Sequence, residues 1–433
     1  MKKYSGCKVL FVLLSLIIPP GVFGQSIVTG GISGIVTDPS GATVAGAMLT
    51  AKNSGTGATL TTTSSANGEY QFALLKPGDY VVSVTKNGFK TSTRTVTALL
   101  GQNAAFNVSL ELGSSATSVE VTGEPALLQT ENANITTSFD SKQIQEIPNP
   151  GGDITYLANT APGVTMNNST GGGFGNFSTF GLPATSNLFT INGNDYNDPF
   201  LNLNNTGSSN LLLGGNEIQE VAVINNAYTG EYGRQAASQI NYTTKSGTSE
   251  FHSTVIYDWT GRYLNANAPL NKVAGNPRPF ENNNQWAASL GGPIIKNKAF
   301  FYVNTEGIRY IFGSVHNVTV PTPAFETFVL GKVPQDAATQ AFYNNVFKLY
   351  NAAPGIANAV KQTPDATSAC AKLAVPGGAC AETFTQSVPN GNKEWLLSGK
   401  VDYSFNNNNQ LFGRFKLDRG VQPTYTDSIN PVF

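Results

Sequence analysis

Charge is scarce in this chain: Asp, Glu, Lys and Arg make up 12% of 433 residues, about half the share of an ordinary soluble domain. The net charge is −1, so no basic field attracts a nucleic acid, and no acidic block forms a solvating tail. Histidine is scarcer still, with His252 and His316 alone and no HExxH or paired-cysteine spacing around them, which removes the common metal centres. No cofactor motif is visible. No apolar run reaches the roughly twenty residues of a spanning helix. What is abundant is glycine, 45 residues of it, with asparagines crowding the second half, a mix that favours strands and turns over helices. The length suffices for two to four domains, each with its own core.

The first residues read as an address. Lys2, Lys3 and Lys8 flank the apolar run Val9 to Ile18, and Val22-Phe23-Gly24 offers a small-residue cleavage site, so 1–24 has the layout of a signal peptide. Cys7 lies ahead of the apolar run, which argues against a lipid anchor. The mature chain is then expected outside the cytoplasm, in an oxidising compartment. There a Cys370–Cys380 disulfide is the default, and two buried free thiols are the alternative.

From Gly31 to Gly113 we read seven strand-like runs, among them GISGIVT, AMLTAKN, EYQFALL, DYVVSVTK and AAFNVSLEL. Tyr70, Phe72 and Leu74 alternate with polar neighbours, as do Tyr80, Val82 and Val84, so each strand has one face to bury. Asn67-Gly68 and Pro77-Gly78 supply sharp turns. The spacing predicts a β-sandwich over 28–113. Pro39, Gly41, Val44 and Gly46-Ala47, then Asn67 to Tyr70, Leu75 to Tyr80 and Gly88-Phe89, resemble the carboxypeptidase regulatory-like domain, a non-catalytic companion. Its link to carbohydrate binding rests on fold analogy.

The segment 114–129 reads as a linker. Within it Ser118, Val119, Glu120, Val121, Thr122 and Gly123 form a short strand able to join another protein's sheet edge, and they resemble a TonB box. A last sandwich strand is the alternative. Residues 130–248 then carry, in order, QIQEIPNPGGDITYLANTAPGV, the glycine cluster GGGFGNFSTFG, FTINGNDYNDP and NEIQEVAVINNAYTGEYGRQAASQINYTTKSG. These resemble the plug domain of TonB-dependent receptors, of the Oar-like branch, with Asn192-Gly193 and Ala237 as mild departures. A free-standing mixed α/β domain is the plainer reading of the same residues. In the EYGR stretch, Arg234 is expected either to bridge plug and barrel or to stay a solvated surface residue.

Past Phe251 the pattern changes. Phe251, Val255, Tyr257 and Trp259 share one face and His252, Thr254 and Asp258 the other, with Ile256 out of pattern; Leu397 to Phe405 and Leu411 to Leu417 alternate in the same way. An apolar outer face and a polar inner face suit strands crossing a bilayer around a wet lumen. Strands are expected at 251–260, 282–291, 298–311, 394–405 and 410–419. The short turns 292–297 and 406–409 then lie at one end and the long connections 261–281 and 312–393 at the other. GGPIIKNKAFFYVNTEG also resembles the early strands of the Oar-like barrel. Five strands cannot close a barrel, and 426–432 lacks an alternating strand before Phe433, so residues 249–433 are expected to form the first part of the barrel of a longer receptor.

The expected fold is therefore mainly β: sandwich, mixed α/β plug and the first barrel strands. By resemblance, the function is outer-membrane uptake of a large or scarce solute, an oligosaccharide among the candidates. The partners are TonB with its inner-membrane energising complex, outer-membrane lipid and the solute; sandwich and plug face the periplasm. A secreted or surface-attached carbohydrate-binding adhesin is the alternative. An enzyme is not expected. Ser83 with Lys86, Ser208-Ser209-Asn210 and Lys245-Ser246-Gly247 follow the order of serine hydrolase motifs, but Ser83 and Lys86 lie on a strand and point to opposite faces.

Overall fold

The computed structural model describes residues 29–422 except 114–117, 121–134, 149–151, 168–175, 227–231, 274, 276–277, 363–368, 374, 376–377 and 407–408. The expected signal peptide, Val121, Thr122, Gly123, the glycines at 171–175 and Phe433 lie outside the described residues.

The first unit is a two-sheet sandwich. Strands β1 (Gly30–Thr37), β4 (Glu69–Leu75), β7 (Asn103–Ala105) and β8 (Val108–Ser109) form one sheet. The other has the order β3 (Thr59–Thr63), β2 (Met48–Asn53), β5 (Gly78–Thr85), β6 (Thr91–Ala98), β9 (Ser118–Glu120). Ile32, Leu49, Tyr70, Phe72, Val82, Val84 and Phe106 fill the space between them. Two expectations need correction. The run AAFNVSLEL is two strands, because the Asn107 side chain accepts the Ile35 N–H at 3.0 Å where a backbone carbonyl would otherwise stand. Leu74 does not share the inner face of Tyr70 and Phe72: it has φ +57° and is exposed, and Leu75 takes the buried place. A bulge at this point, where the register against β1 slips, turns the side chains by one residue.

The second unit is a mixed sheet of order β10 (Ile135–Asp140), β15 (Ile218–Asn226), β16 (Gln239–Thr244), β13 (Leu188–Ile191), β14 (Asn194–Asp195), with β13 parallel to β16. A small hairpin of β11 (Val164–Met166) and β12 (Phe177–Thr179) stands apart from it. Asp140 caps helix α1 (Ser141–Glu146), with Gln143 closing a capping box. Asn192 and Gly193 both have positive φ, as the tight turn from β13 to β14 requires.

The third unit is an antiparallel wall in which each strand pairs with the next: β17 (His252–Gly261), β18 (Glu281–Ile295), β19 (Ala299–Pro321), β21 (Ala381–Asn406) and β22 (Asn409–Val421). A two-residue strand, β20 (Val360–Lys361), adds to β21. The long hairpin is more extended than expected: β19 and β21 stay paired from Ala299–Tyr403 to Pro321–Ala381, so the true connection is 322–380. About ten residues cross a bilayer, so more than half of each strand projects beyond it. There Val318, Val320 and Phe384 pack against Ala353, Tyr350 and Ile356 of the connection. The connection carries α2 (Pro323–Lys332) and α3 (Ala337–Asn351), and Cys370 is bonded to Cys380 with Cα atoms 5.8 Å apart. Ile256, out of pattern in the sequence, is half-buried on the inner face.

Gly68 sits in the turn between β3 and β4 with φ +74°, and a Cβ there would lie 2.6 Å from the Val36 carbonyl oxygen. Gly68→Ala is expected to cost about 1–3 kcal/mol, read as a fall of roughly 4 °C or more in the sandwich's melting transition. An unchanged transition would mean that the turn relaxes freely.

Candidate functional site

The alternation of the wall strands sends every second side chain inward, and the second unit sits against that inner face. Its edge is polar. Glu217, at the end of a 3-10 turn (Gly215–Glu217), is 2% exposed and meets two wall cations: Arg414 Nη2 at 2.7 Å and Lys416 Nζ at 3.8 Å. Lys416 also donates to the Tyr196 hydroxyl at 3.0 Å. One turn of wall away, the Glu394 carboxylate accepts the Ser209 N–H at 2.6 Å, while the Tyr310 hydroxyl donates to the Ser209 carbonyl at 2.9 Å. Tyr302 donates to the Asn216 carbonyl at 2.8 Å, Asn216 Nδ2 to Asn304 Oδ1 at 2.8 Å, and Lys400 Nζ to the Thr244 carbonyl at 3.1 Å. Between these polar contacts lies one small apolar contact of Leu211 and Leu213 with Ile308, Tyr310 and Leu396. Gly247 passes so close to the hairpin of β18 and β19 that a Cβ would lie 2.2 Å from the Phe301 carbonyl oxygen.

The sandwich closes the end where the short turns lie. Ser249 N–H donates to the Gly55 carbonyl at 2.9 Å, Ser249 Oγ to the Thr56 carbonyl at 3.5 Å, and Lys76 bridges to Asp402 at 3.2 Å. It also touches the second unit: Leu100 N–H donates to Glu220 Oε1 at 2.6 Å, and Gln102 Nε2 to Ser138 Oγ at 2.9 Å. Burial raises the Glu220 carboxyl to about 8, the nearby Asp140 adding to the effect and the Leu100 bond opposing it. Within the second unit, burial likewise lifts Asp153 to about 6, against hydrogen bonds from Thr155 and Leu212.

The residues singled out from sequence fall as follows. Ser118 to Glu120 are the outermost strand of a sandwich sheet, paired in parallel with Thr91 to Thr93; Val121, Thr122 and Gly123 are outside the described residues. Arg234 pairs with Asp195, so its partner is on its own unit, not on the wall. The cations that do cross the seam, Arg414 and Lys416, alternate visibly in the sequence, but their shared partner Glu217 carries no local signal. Lys86 donates to the carbonyls of Ala45 and Gly46, at 2.7 and 3.2 Å, and Ser83 faces Thr93, so the two form no catalytic pair. His252 is exposed at the start of β17, and among the described residues no cluster of metal-binding side chains occurs.

Comparisons with known proteins match these units in order. Residues 31–111 match the carboxypeptidase regulatory-like domain, 129–238 the TonB-dependent receptor plug domain and 243–432 an outer membrane beta barrel domain. The chain carries the domain set of a TonB-dependent outer-membrane receptor. That places it in the outer membrane of a Gram-negative cell. It is 29% identical over 255 residues to the TonB-dependent transporter Oar of Myxococcus xanthus, a match covering 56% of this chain and 23% of that relative's length. Solved structures similar to it include the ferric enterobactin receptor of Pseudomonas aeruginosa (14% identity, TM-score 0.37, 67% of this chain and 34% of that one) and the siderophore receptor PirA of the same organism (11%, 0.34, 67% and 41%).

Two outcomes are expected of this receptor's seams. Arg414→Met leaves the Glu217 carboxylate buried with one distant cation, a change that costs about 3–5 kcal/mol; amide exchange in β15 and β16 should quicken by a hundredfold or more, with part of the protection restored in the Glu217→Gln/Arg414→Met double variant. For the sandwich contact, a carboxyl raised from 4.5 to about 8 on folding stabilises fully below its unfolded value and loses that contribution as pH rises through 8. Stability of the docked sandwich, read by its protease resistance, should therefore fall between about pH 4.5 and 8, and Glu220→Gln, which still accepts from Leu100, should flatten the profile.

Proposed function

We propose that this receptor takes up a hydrophilic solute, too large or too scarce for free diffusion, by TonB-coupled transport. In this reading 1–24 is the signal peptide, 28–113 the docked sandwich, 114–129 the linker with its handle, 130–248 the plug and 249–433 the wall. The long connections at 261–281 and 322–380 face outward and meet the solute. The sandwich and the linker lie at the short-turn end, the periplasmic side, where TonB of the inner-membrane energising complex has access.

The observation that carries the proposal is the nature of the plug seam. It is held by separate charge-assisted and neutral hydrogen bonds with one small apolar contact, not by a continuous core. Polar contacts of this kind can be exchanged for water one at a time, so a plug seated by them can be moved by a pull without unfolding the wall around it. The same lining of amide, hydroxyl and carboxylate groups suits a hydrated solute such as an oligosaccharide. The handle is Ser118 to Gly123: among the described residues, β9 ends its sheet, and its outer edge is open to an added strand from a partner.

Removal of Ser118 to Gly123 should abolish energy-dependent solute accumulation while leaving binding at the cell surface intact. If accumulation persists without these residues, the handle lies elsewhere. If wild-type cells bind solute and never accumulate it, the adhesive alternative takes the place of transport.

A further inference from the structure

The root of the long connection holds two carboxylates without a counter-charge. Glu326 lies in the first turn of α2, whose cap is Thr322, and Glu382 is the second residue of β21. The ends of the connection bring them together. The Thr322 N–H donates to the Cys380 carbonyl at 3.0 Å, and its hydroxyl donates to the Ala379 carbonyl at 2.6 Å and accepts the Phe325 N–H at 3.3 Å, so α2 starts against the residues that lead into β21. Asn351, the last residue of α3, reaches the same place and donates from Nδ2 to Glu326 Oε2 at 2.9 Å.

Both carboxylates are 8% exposed. Glu326 Oε1 is buried with no hydrogen-bond partner, and the Glu382 side chain has neither a hydrogen bond nor an ion pair among the described residues. Burial raises the Glu326 carboxyl, the Asn351 bond opposes the rise and the Glu382 charge adds to it, so the two groups lie within electrostatic reach of each other. Lys361 stands opposite Glu382 on β20, and Lys348 lies one turn before Asn351 on α3, yet both are exposed and neither forms a salt bridge. A carboxylate taken out of water without a cation is costly, and a second one beside it adds repulsion. The pair calls for positive charge between its members.

We propose that Glu326 and Glu382 bind a divalent cation, and that the cation is calcium. Every donor is oxygen: the two carboxylates, Asn351 Oδ1 once its amide turns over, and water to complete the six to eight ligands that calcium takes. Magnesium keeps most of its own waters, which a site buried to this degree disfavours. With two charged ligands the affinity falls in the range of extracellular modules, a Kd of about 10⁻⁴–10⁻³ M. A set of three or more His, Cys, Asp or Glu, which holds an ion more tightly, does not occur among the described residues. The ion joins α2, α3 and β21 where the connection leaves the wall, close to the Cys370–Cys380 bond, and so holds the helices of the connection to the hairpin. This goes beyond the transport reading and needs only that the connection meet a medium containing calcium.

The test uses the full chain, extracted in a non-ionic detergent and stripped of metal with EGTA. Amide exchange over 323–351 is followed by mass spectrometry with calcium, with magnesium and with neither. Calcium at about ten times its Kd should slow exchange in α2 and α3 about tenfold in the wild type and in Glu69→Gln, an exposed carboxylate of the sandwich. The double variant Glu326→Gln/Glu382→Gln should not respond, and, freed of the repulsion, it should exchange no faster than the wild type without calcium. Wild-type exchange that ignores calcium overturns the site, and protection that then rises on acidification alone marks the pair as sharing a proton instead. An equal calcium response in the double variant overturns the assignment to these two residues. An equal response to magnesium overturns the choice of calcium.

Discussion

A strand that crosses a bilayer has hydrocarbon on one side and water or protein on the other, and its backbone groups have no partner but the next strand. In this protein that constraint governs the wall. It forces period-two alternation, Val255, Tyr257 and Trp259 outward and Thr254, Ile256 and Asp258 inward, and it makes each strand pair antiparallel with its neighbour in the wall. Once the outer faces are committed to lipid, all polar chemistry is driven inward or to the rim. The crowding of Glu306, Glu394, Lys400, Asp402, Arg414, Lys416 and Asp418 on one face follows from this sorting.

The plug is the counterpart of that inner face. A lumen lined with carboxylates and cations cannot be filled by a greasy domain without stranding buried charge, and the plug answers with Glu217, Ser209, Asn216 and backbone carbonyls. The sandwich repeats the pattern at the short-turn end, where Lys76 and the backbone of Leu100 meet a wall carboxylate and a plug carboxyl. The three units are thus joined through seams that are mainly polar, with small apolar contacts of Leu211 and Leu213 with the wall and of Leu100 with Ala222 and Ile224. Each can hold its own shape while its seat on the next is changed.

Much of the fold was legible because the elements are short and strongly patterned. Tyr80, Val82 and Val84 alternate and are buried; Asn67-Gly68 and Asn192-Gly193 turn where glycine and asparagine allow it. The failures have physical causes. Leu74 lies on a bulge, which periodicity cannot foresee. The far ends of β19 and β21 pack through Val318, Val320 and Phe384 against the distant connection, a contact that no local pattern announces. Arg234 offered a charge but no indication of its partner, and its partner is the nearby Asp195.

By its own pattern the sequence determined the β class, the order of the three units, the inward and outward faces of the wall strands and the short-turn and long-loop ends, since each depends on neighbours within a few residues or on a period of two. Tertiary structure alone decided which inward charge meets which plug residue, that the sandwich docks on the wall through Lys76 and on the plug through Glu220, and that Arg309 and Lys393 face each other across a strand pair. Glu217 and Arg414 are almost two hundred residues apart in the chain; only the seating of one domain inside another brings them within a hydrogen bond, and no local pattern encodes that distance.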